Sequence, residues 1–181
     1  MSKELAEHVF HCVAERYVGK AKEIGWMVET QNSFEEWLGW EAWLACTENF
    51  NWNVYAKPQY SRFGLPGKEA GDWLVEDASG NKLLVELGLI HDGTGPSEWS
   101  AKCDNDREKL LRVTDKAAGL HLVLATSRLH SDIACSEKWL ERWSRMKCWS
   151  IATPYCMETP LPEIGQMVLK GWLVDSSCLA R

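Results

Sequence analysis

The sequence predicts a mixed α/β fold, a central β-sheet flanked by helices, and three observations carry that prediction. Around Ala78-Ser79-Gly80 the residues Trp73, Val75, Leu83, Val85, Leu87 and Leu89 alternate with others at a period of two, the pattern of a β-hairpin. A helical stretch from about Glu98 to Ala118 and a segment that reads as a buried strand, His121 to Thr126, come next, an order that implies a crossover connection in a mixed sheet. Two further helical periodicities precede the hairpin. With 181 residues, 45% of them hydrophobic, the chain is long enough for one well-buried core and too short for two typical domains. It reads as a single domain: N-terminal helices over 3–49, an α/β core over 50–147 and a C-terminal extension over 148–181.

The first helix is expected from about Lys3 to Glu23, with Ala6, Val9, Val13 and Tyr17 at helical spacing. A second begins at Ser33, where Ser33-Phe34-Glu35-Glu36 matches a capping box, and carries Phe34, Trp37, Leu38, Leu44 and Ala45 on one stripe. Glu41 falls on that stripe. A carboxylate on a buried face needs a partner, so Glu41 either joins a charged site or sits at the stripe's edge and reaches solvent. Trp37, Trp40 and Trp43 recur every third residue; Trp40 and Trp43 lie off the stripe, and at least one of them is expected to be partly exposed.

A strand near Trp52 to Lys57 leads into a loop over 58–71 that contains three glycines and two prolines, long enough for a compact domain to suggest function. Lys57, Arg62 and Lys68 interleave there with Tyr60 and Phe63. That mixture suits phosphates and unstacked bases, or simply a basic surface loop. After the hairpin, His91-Asp92-Gly93-Thr94-Gly95-Pro96 breaks the chain. The helix that follows carries Cys103, Leu110 and Ala117 on one side and Lys102, Asp106 and Lys109 on another. Ser136 to Lys147 reads as a last helix, and Met167 to Val174 as the source of one or two edge strands.

The hairpin holds the chemistry. With its turn centred on Ser79, residues whose numbers sum to 158 oppose one another, so Asp72 faces Glu86. Opposed side chains have Cβ atoms about 4.5–5.5 Å apart, and two carboxylates that close destabilise a sheet unless a cation joins them. A hard divalent ion such as Mg²⁺ is the natural candidate. Acids on the solvent face of a hairpin are the plain alternative, and a one-residue slip would separate the pair.

Glu69-Ala70-Gly71-Asp72-Trp73-Leu74-Val75 and Leu83-Leu84-Val85-Glu86-Leu87-Gly88-Leu89-Ile90 together resemble the restriction-endonuclease-like PD-(D/E)XK nuclease superfamily. In that superfamily an acid opening one strand and Glu-X-Lys on the next hold a catalytic metal. The resemblance covers roughly Ser33 to Arg145 and implies a restriction-endonuclease-like fold, a Mg²⁺ cofactor and phosphodiester hydrolysis of DNA or RNA. It also implies that an acid of the preceding helix, here Glu41, joins Asp72 and Glu86 as a ligand. Gly88 stands where the family has its lysine, whose part is to position the attacking water and stabilise charge. Some members carry that lysine on another element, which makes Lys102 or Lys109 the substitute, Lys102 being nearer the hairpin end. The other reading keeps the fold without the chemistry, a nuclease-derived protein that binds or inhibits a partner protein, or pairs with itself, through an acidic, tryptophan-rich surface.

Composition narrows the classes further. A net charge of −6 is unfavourable for gripping a polyanion, although local charge can override it. The seven cysteines form no Cys-X-X-Cys pair, and their odd, scattered number suggests reduced thiols in the cytoplasm. The charged N-terminus does not read as a signal peptide, and no apolar run nears the ~20 residues of a membrane span. None of the five histidines has metal-ligand spacing, and no Gly-X-Ser-X-Gly or Walker loop occurs.

Overall fold

A computed structural model describes residues 2–49, 51–91, 96–113, 116–128 and 155–175. They form a six-stranded, mostly antiparallel open sheet with helices on both faces. The elements are α1 (Ser2–Gly19), α2 (Ala21–Thr30), α3 (Glu35–Thr47), β1 (Trp52–Ala56), β2 (Trp73–Asp77), β3 (Lys82–Ile90), α4 (Pro96–Leu111), β4 (Ala118–Arg128), β5 (Tyr155–Leu161) and β6 (Gly165–Val174). The strand order is β1-β2-β3-β4-β6-β5. Only β3 and β4 run parallel, joined by the crossover through α4. The expected helix over 136–147 lies outside the described residues.

The hairpin has the predicted register. Trp73 pairs with Val85 and Val75 with Leu83, so residue numbers across the ladder sum to 158. Its turn is held by Asp77, which accepts from the amides of Ser79 and Asn81, and by Gly80 at φ +77°. Odd-numbered residues, Trp73, Val75, Leu83, Val85, Leu87 and Leu89, pack with α1, α2 and α3 into the larger core. Even-numbered residues face α4, with Leu74 and Leu84 beside Leu110, and Ile90 beside Trp99 and Cys103. Every residue of β3 after Lys82 is buried, as befits a central strand covered on both faces.

Several elements depart from the sequence expectation for identifiable reasons. The first helix stops at Gly19, Lys20 turns with its amide shared between the Arg16 and Tyr17 carbonyls, and α2 starts afresh to bury Ile24 and Val28. The capping box at Ser33 does not form. Phe34 is the N-cap residue with no side-chain cap, because Glu35 is engaged elsewhere and Glu36 points to solvent. The loop after β1 is not a surface of exposed aromatics: Tyr60 and Phe63 lie in a short 3-10 helix and are 1% and 8% exposed. A bridge between Gln59 and Ala70 folds that loop against the sheet. Helix α4 ends at Leu111, seven residues before the expected Ala118, which instead opens β4. Residues 155–174 supply two strands, and β6 lies inside the sheet between β4 and β5.

Candidate functional site

Strand β2 pairs with β3 only as far as Trp73 and Val85, while β3 continues to Ile90. Along a strand, N–H and C=O groups of alternate residues point to the same neighbour, so Leu87 and Leu89 present backbone groups toward the flank that β2 has left. Buried backbone groups need partners, and here side chains supply them. The Leu87 amide donates to Asp72 Oδ2 at 2.8 Å, and the Leu89 amide to Glu35 Oε2 at 3.3 Å. The Leu87 carbonyl accepts from Lys102 Nζ at 3.1 Å. Lys102 also donates to Glu35 Oε1, tying α4 to the first turn of α3 across the end of the sheet.

Asp72 therefore stands at the parting of β2 and β3, opposite Glu86 in register. Its Oδ1 accepts from Lys57 Nζ at 2.7 Å, an ion pair whose lysine is 69% exposed. Glu86 is 3% exposed on the α4 face and accepts from the hydroxyl of buried Tyr60. Burial, followed by the nearby charges of Asp72 and Asp106, raises the Glu86 carboxyl well above its ordinary value of 4.5, with Tyr60 and Lys109 opposing. The Tyr60 hydroxyl is raised in turn by burial and by the Glu86 charge. Asp106, also buried, pairs with Lys109 at 2.9 Å and Lys102 at 3.8 Å. Burial works against the charge of Lys57, Lys102 and Lys109, but their carboxylate partners prevail and leave all three ammonium groups more basic than usual. Glu35, Lys102, Asp106 and Lys109 thus form one ion-paired chain and Lys57 and Asp72 a separate pair, while Glu86 bonds to Tyr60 and feels the charges of Asp72, Asp106 and Lys109.

The structure brings Asp72, Glu86, Lys102 and Lys109 together and places Glu41 elsewhere. Glu41 is buried, as its place on the stripe predicted, but it accepts from Arg16 Nε at 2.7 Å between α1 and α3. It is thus paired away from Asp72 and Glu86. The α3 acid beside the site is Glu35, which sequence reasoning treated as part of a cap. Its clue was position: a helix-opening acid commonly serves the dipole, and only the fold reveals that this one reaches β3 and α4. Tyr60 was also missed in this role. His91, at the break after the hairpin, is 6% exposed and lies against Phe34, their ring centroids 6.2 Å apart.

At Gly88 a side chain has little room. A Cβ there would lie 3.1 Å from Cys103 Sγ and 3.5 Å from Val123 Cγ2. Helix α4 packs directly on this position, and the lysine one residue before Cys103 reaches around to the Leu87 carbonyl. Asp72 and Lys57 also border a cavity of about 200 Å³ beneath Trp40 and Trp43 of α3. Trp40 is 53% exposed and Trp43 half-buried, as expected for at least one of them.

Hard oxygen donors from Asp72 and Glu86 suit Mg²⁺, which keeps several waters and commonly takes only one or two protein carboxylates. Among the described residues no group of three or more His, Cys, Asp or Glu side chains is disposed to hold a metal ion. Nor, among those residues, is any helix long and apolar enough to cross a membrane. No family model, curated protein or solved structure matches the chain.

Proposed function

We propose that the protein is a restriction-endonuclease-like, Mg²⁺-dependent nuclease whose catalytic lysine has moved from the strand to α4. The observation that carries the reading is the convergence on Leu87, whose amide is held by Asp72 and whose carbonyl is held by Lys102, one residue before Gly88. Asp72 and Glu86 would hold the metal, and Lys102 would supply the positive charge that Glu-X-Lys normally provides. The metal, when bound, supplies Lewis acidity toward a phosphoryl oxygen and its coordinated water. Lys102, anchored by Glu35, keeps a fixed ammonium where charge develops on a phosphodiester. Tyr60 holds one Glu86 oxygen, fixing the side chain's direction. Lys57, mostly exposed, is the group free to swing from Asp72 toward a phosphate. A cytoplasmic setting suits the scattered, reduced cysteines.

The test is calorimetric titration of Mg²⁺ and Mn²⁺, with the Asp72→Ala/Glu86→Ala double variant as control, followed by cleavage assays on single- and double-stranded DNA and RNA. Binding heat that vanishes in the double variant, together with cleavage lost in Asp72→Ala, is the expected result. A second reading has its own support in Gly88 and in the lysine partners already bound to Asp72 and Glu35: a non-catalytic relative that binds a protein partner or a second copy. Absence of metal binding by the folded wild-type protein would favour it over the nuclease.

A further inference from the structure

We infer that the cavity between Trp40, Trp43 and Lys57 is a subsite for one unpaired nucleobase of a single-stranded nucleic acid, an inference that rests on the nuclease reading above. The cavity adjoins Asp72 without including Glu86, so it flanks the acid pair. At about 200 Å³ it falls below the ~300–1,000 Å³ of sites that enclose a whole drug-sized molecule, which limits it to a single ring system. Its walls suit a flat one. Trp40 and Trp43 meet edge to face at 86° with centroids 5.8 Å apart, leaving the half-exposed Trp40 ring available as a stacking surface.

Charge decides between a base and a cationic group. Glu35 is neutralised by Lys102 and Asp72 by Lys57, and only Glu36 among these lining carboxylates lacks a partner within the described residues. A nearly balanced lining gives little attraction to an ammonium or guanidinium. A neutral ring with an amino group to donate fits better, because Glu36 accepts and cannot donate. Lys57 at the rim, 69% exposed, is placed for the phosphate attached to that base. A base within a duplex is stacked and paired and does not enter so small a recess, so the substrate strand must be single or locally opened. The amino-group requirement favours cytosine over thymine among pyrimidines.

Fluorescence anisotropy of labelled ten-residue oligodeoxycytidine and oligothymidine in EDTA, at one fixed salt concentration, tests this apart from cleavage. Wild type should bind the cytidine strand, and Trp40→Ala should lose about tenfold of that affinity, within the range of one base–aromatic stack. Trp40→Phe should recover most of that affinity. Trp26→Ala, which removes an indole that is 56% exposed on α2, should change nothing. Glu36→Gln should erase the preference for cytidine over thymidine. Equal binding by wild type and Trp40→Ala overturns the subsite and leaves the nuclease reading standing on its metal and cleavage data. No binding of either strand by wild type likewise overturns the subsite, whereas the nuclease reading falls only with the metal titration and cleavage assays.

Discussion

Restoring the missing motif lysine, Gly88→Lys, should damage the protein instead of improving it. Gly88 lies toward the end of β3, paired with Val123 of β4, and its ordinary strand backbone raises no objection to a side chain. The objection is space. A Cβ at 3.1 Å from Cys103 Sγ forces α4 to retreat by a few tenths of an ångström, and overpacking of this kind costs about 1–3 kcal/mol. In Gly88→Ala that cost is partly offset by the ~0.5–1 kcal/mol a strand gains when glycine is replaced. In Gly88→Lys the stem must thread between Cys103, Val123 and fully buried His121, and the ammonium loses water as well, for a total of at least ~3 kcal/mol. For a chain of this size that is roughly 6–12 °C in Tm. Thermal melts of the two variants give the comparison, and a cycle with Cys103→Ala locates its source: the pair should couple by about 0.5 kcal/mol or more. If Gly88→Lys melts within 2 °C of wild type and cleaves nucleic acid better, α4 does not close over Gly88 and Lys102 is not the substitute.

Further tests concern the charged groups in and around the site. The raised Glu86 carboxyl makes the folded state the better proton binder above pH 4.5, so its contribution to stability falls as pH rises from 4.5 through the folded pKa; burial lowers His121 from 6.5 to about 3, and its contribution falls as pH drops through that interval. Melts of Glu86→Gln and His121→Gln across pH 4–8 should each remove one of these opposing slopes, and profiles parallel to wild type would refute the assignment. Lys57→Ala should change stability by less than ~1 kcal/mol, as befits a largely exposed pair, yet tighten Mg²⁺ or Mn²⁺ binding roughly tenfold by calorimetry, because a competing charge has left Asp72. Arg16→Ala should cost about 1–3 kcal/mol in chemical denaturation by stranding buried Glu41, while the metal-binding heat stays that of wild type; an altered heat would return Glu41 to the site.

What the sequence made legible was what short-range periodicity controls. The register that sets Asp72 against Glu86 follows from alternation about one turn, and the buried place of Glu41 from its stripe on the helix. The identity of Glu41's partner was out of reach, because Arg16 lies 25 residues away on another helix and nothing local distinguishes it from any other basic residue. Glu35 and Tyr60 were hidden for a similar reason. Each reaches the site through a contact far along the chain, Glu35 to Lys102 and Tyr60 to Glu86, and each had a cheaper local explanation. Three polar residues at helical spacing, as Lys102, Asp106 and Lys109 are, usually form a solvated face. Here α4 turns it toward the end of β3, where buried Asp106 holds both lysines.

The substitution of side chains for a neighbouring strand at Leu87 and Leu89 makes the sheet itself a gauge of occupancy. These two amides owe their protection from solvent exchange to Asp72 and Glu35, whereas Gly88 between them faces β4 within an intact ladder. Anything that recruits either carboxylate loosens an amide on one flank of β3 and leaves the intervening residue as an internal reference. Engagement of the acids and order at the end of the central strand are thus two readings of one equilibrium, written three residues wide in the backbone.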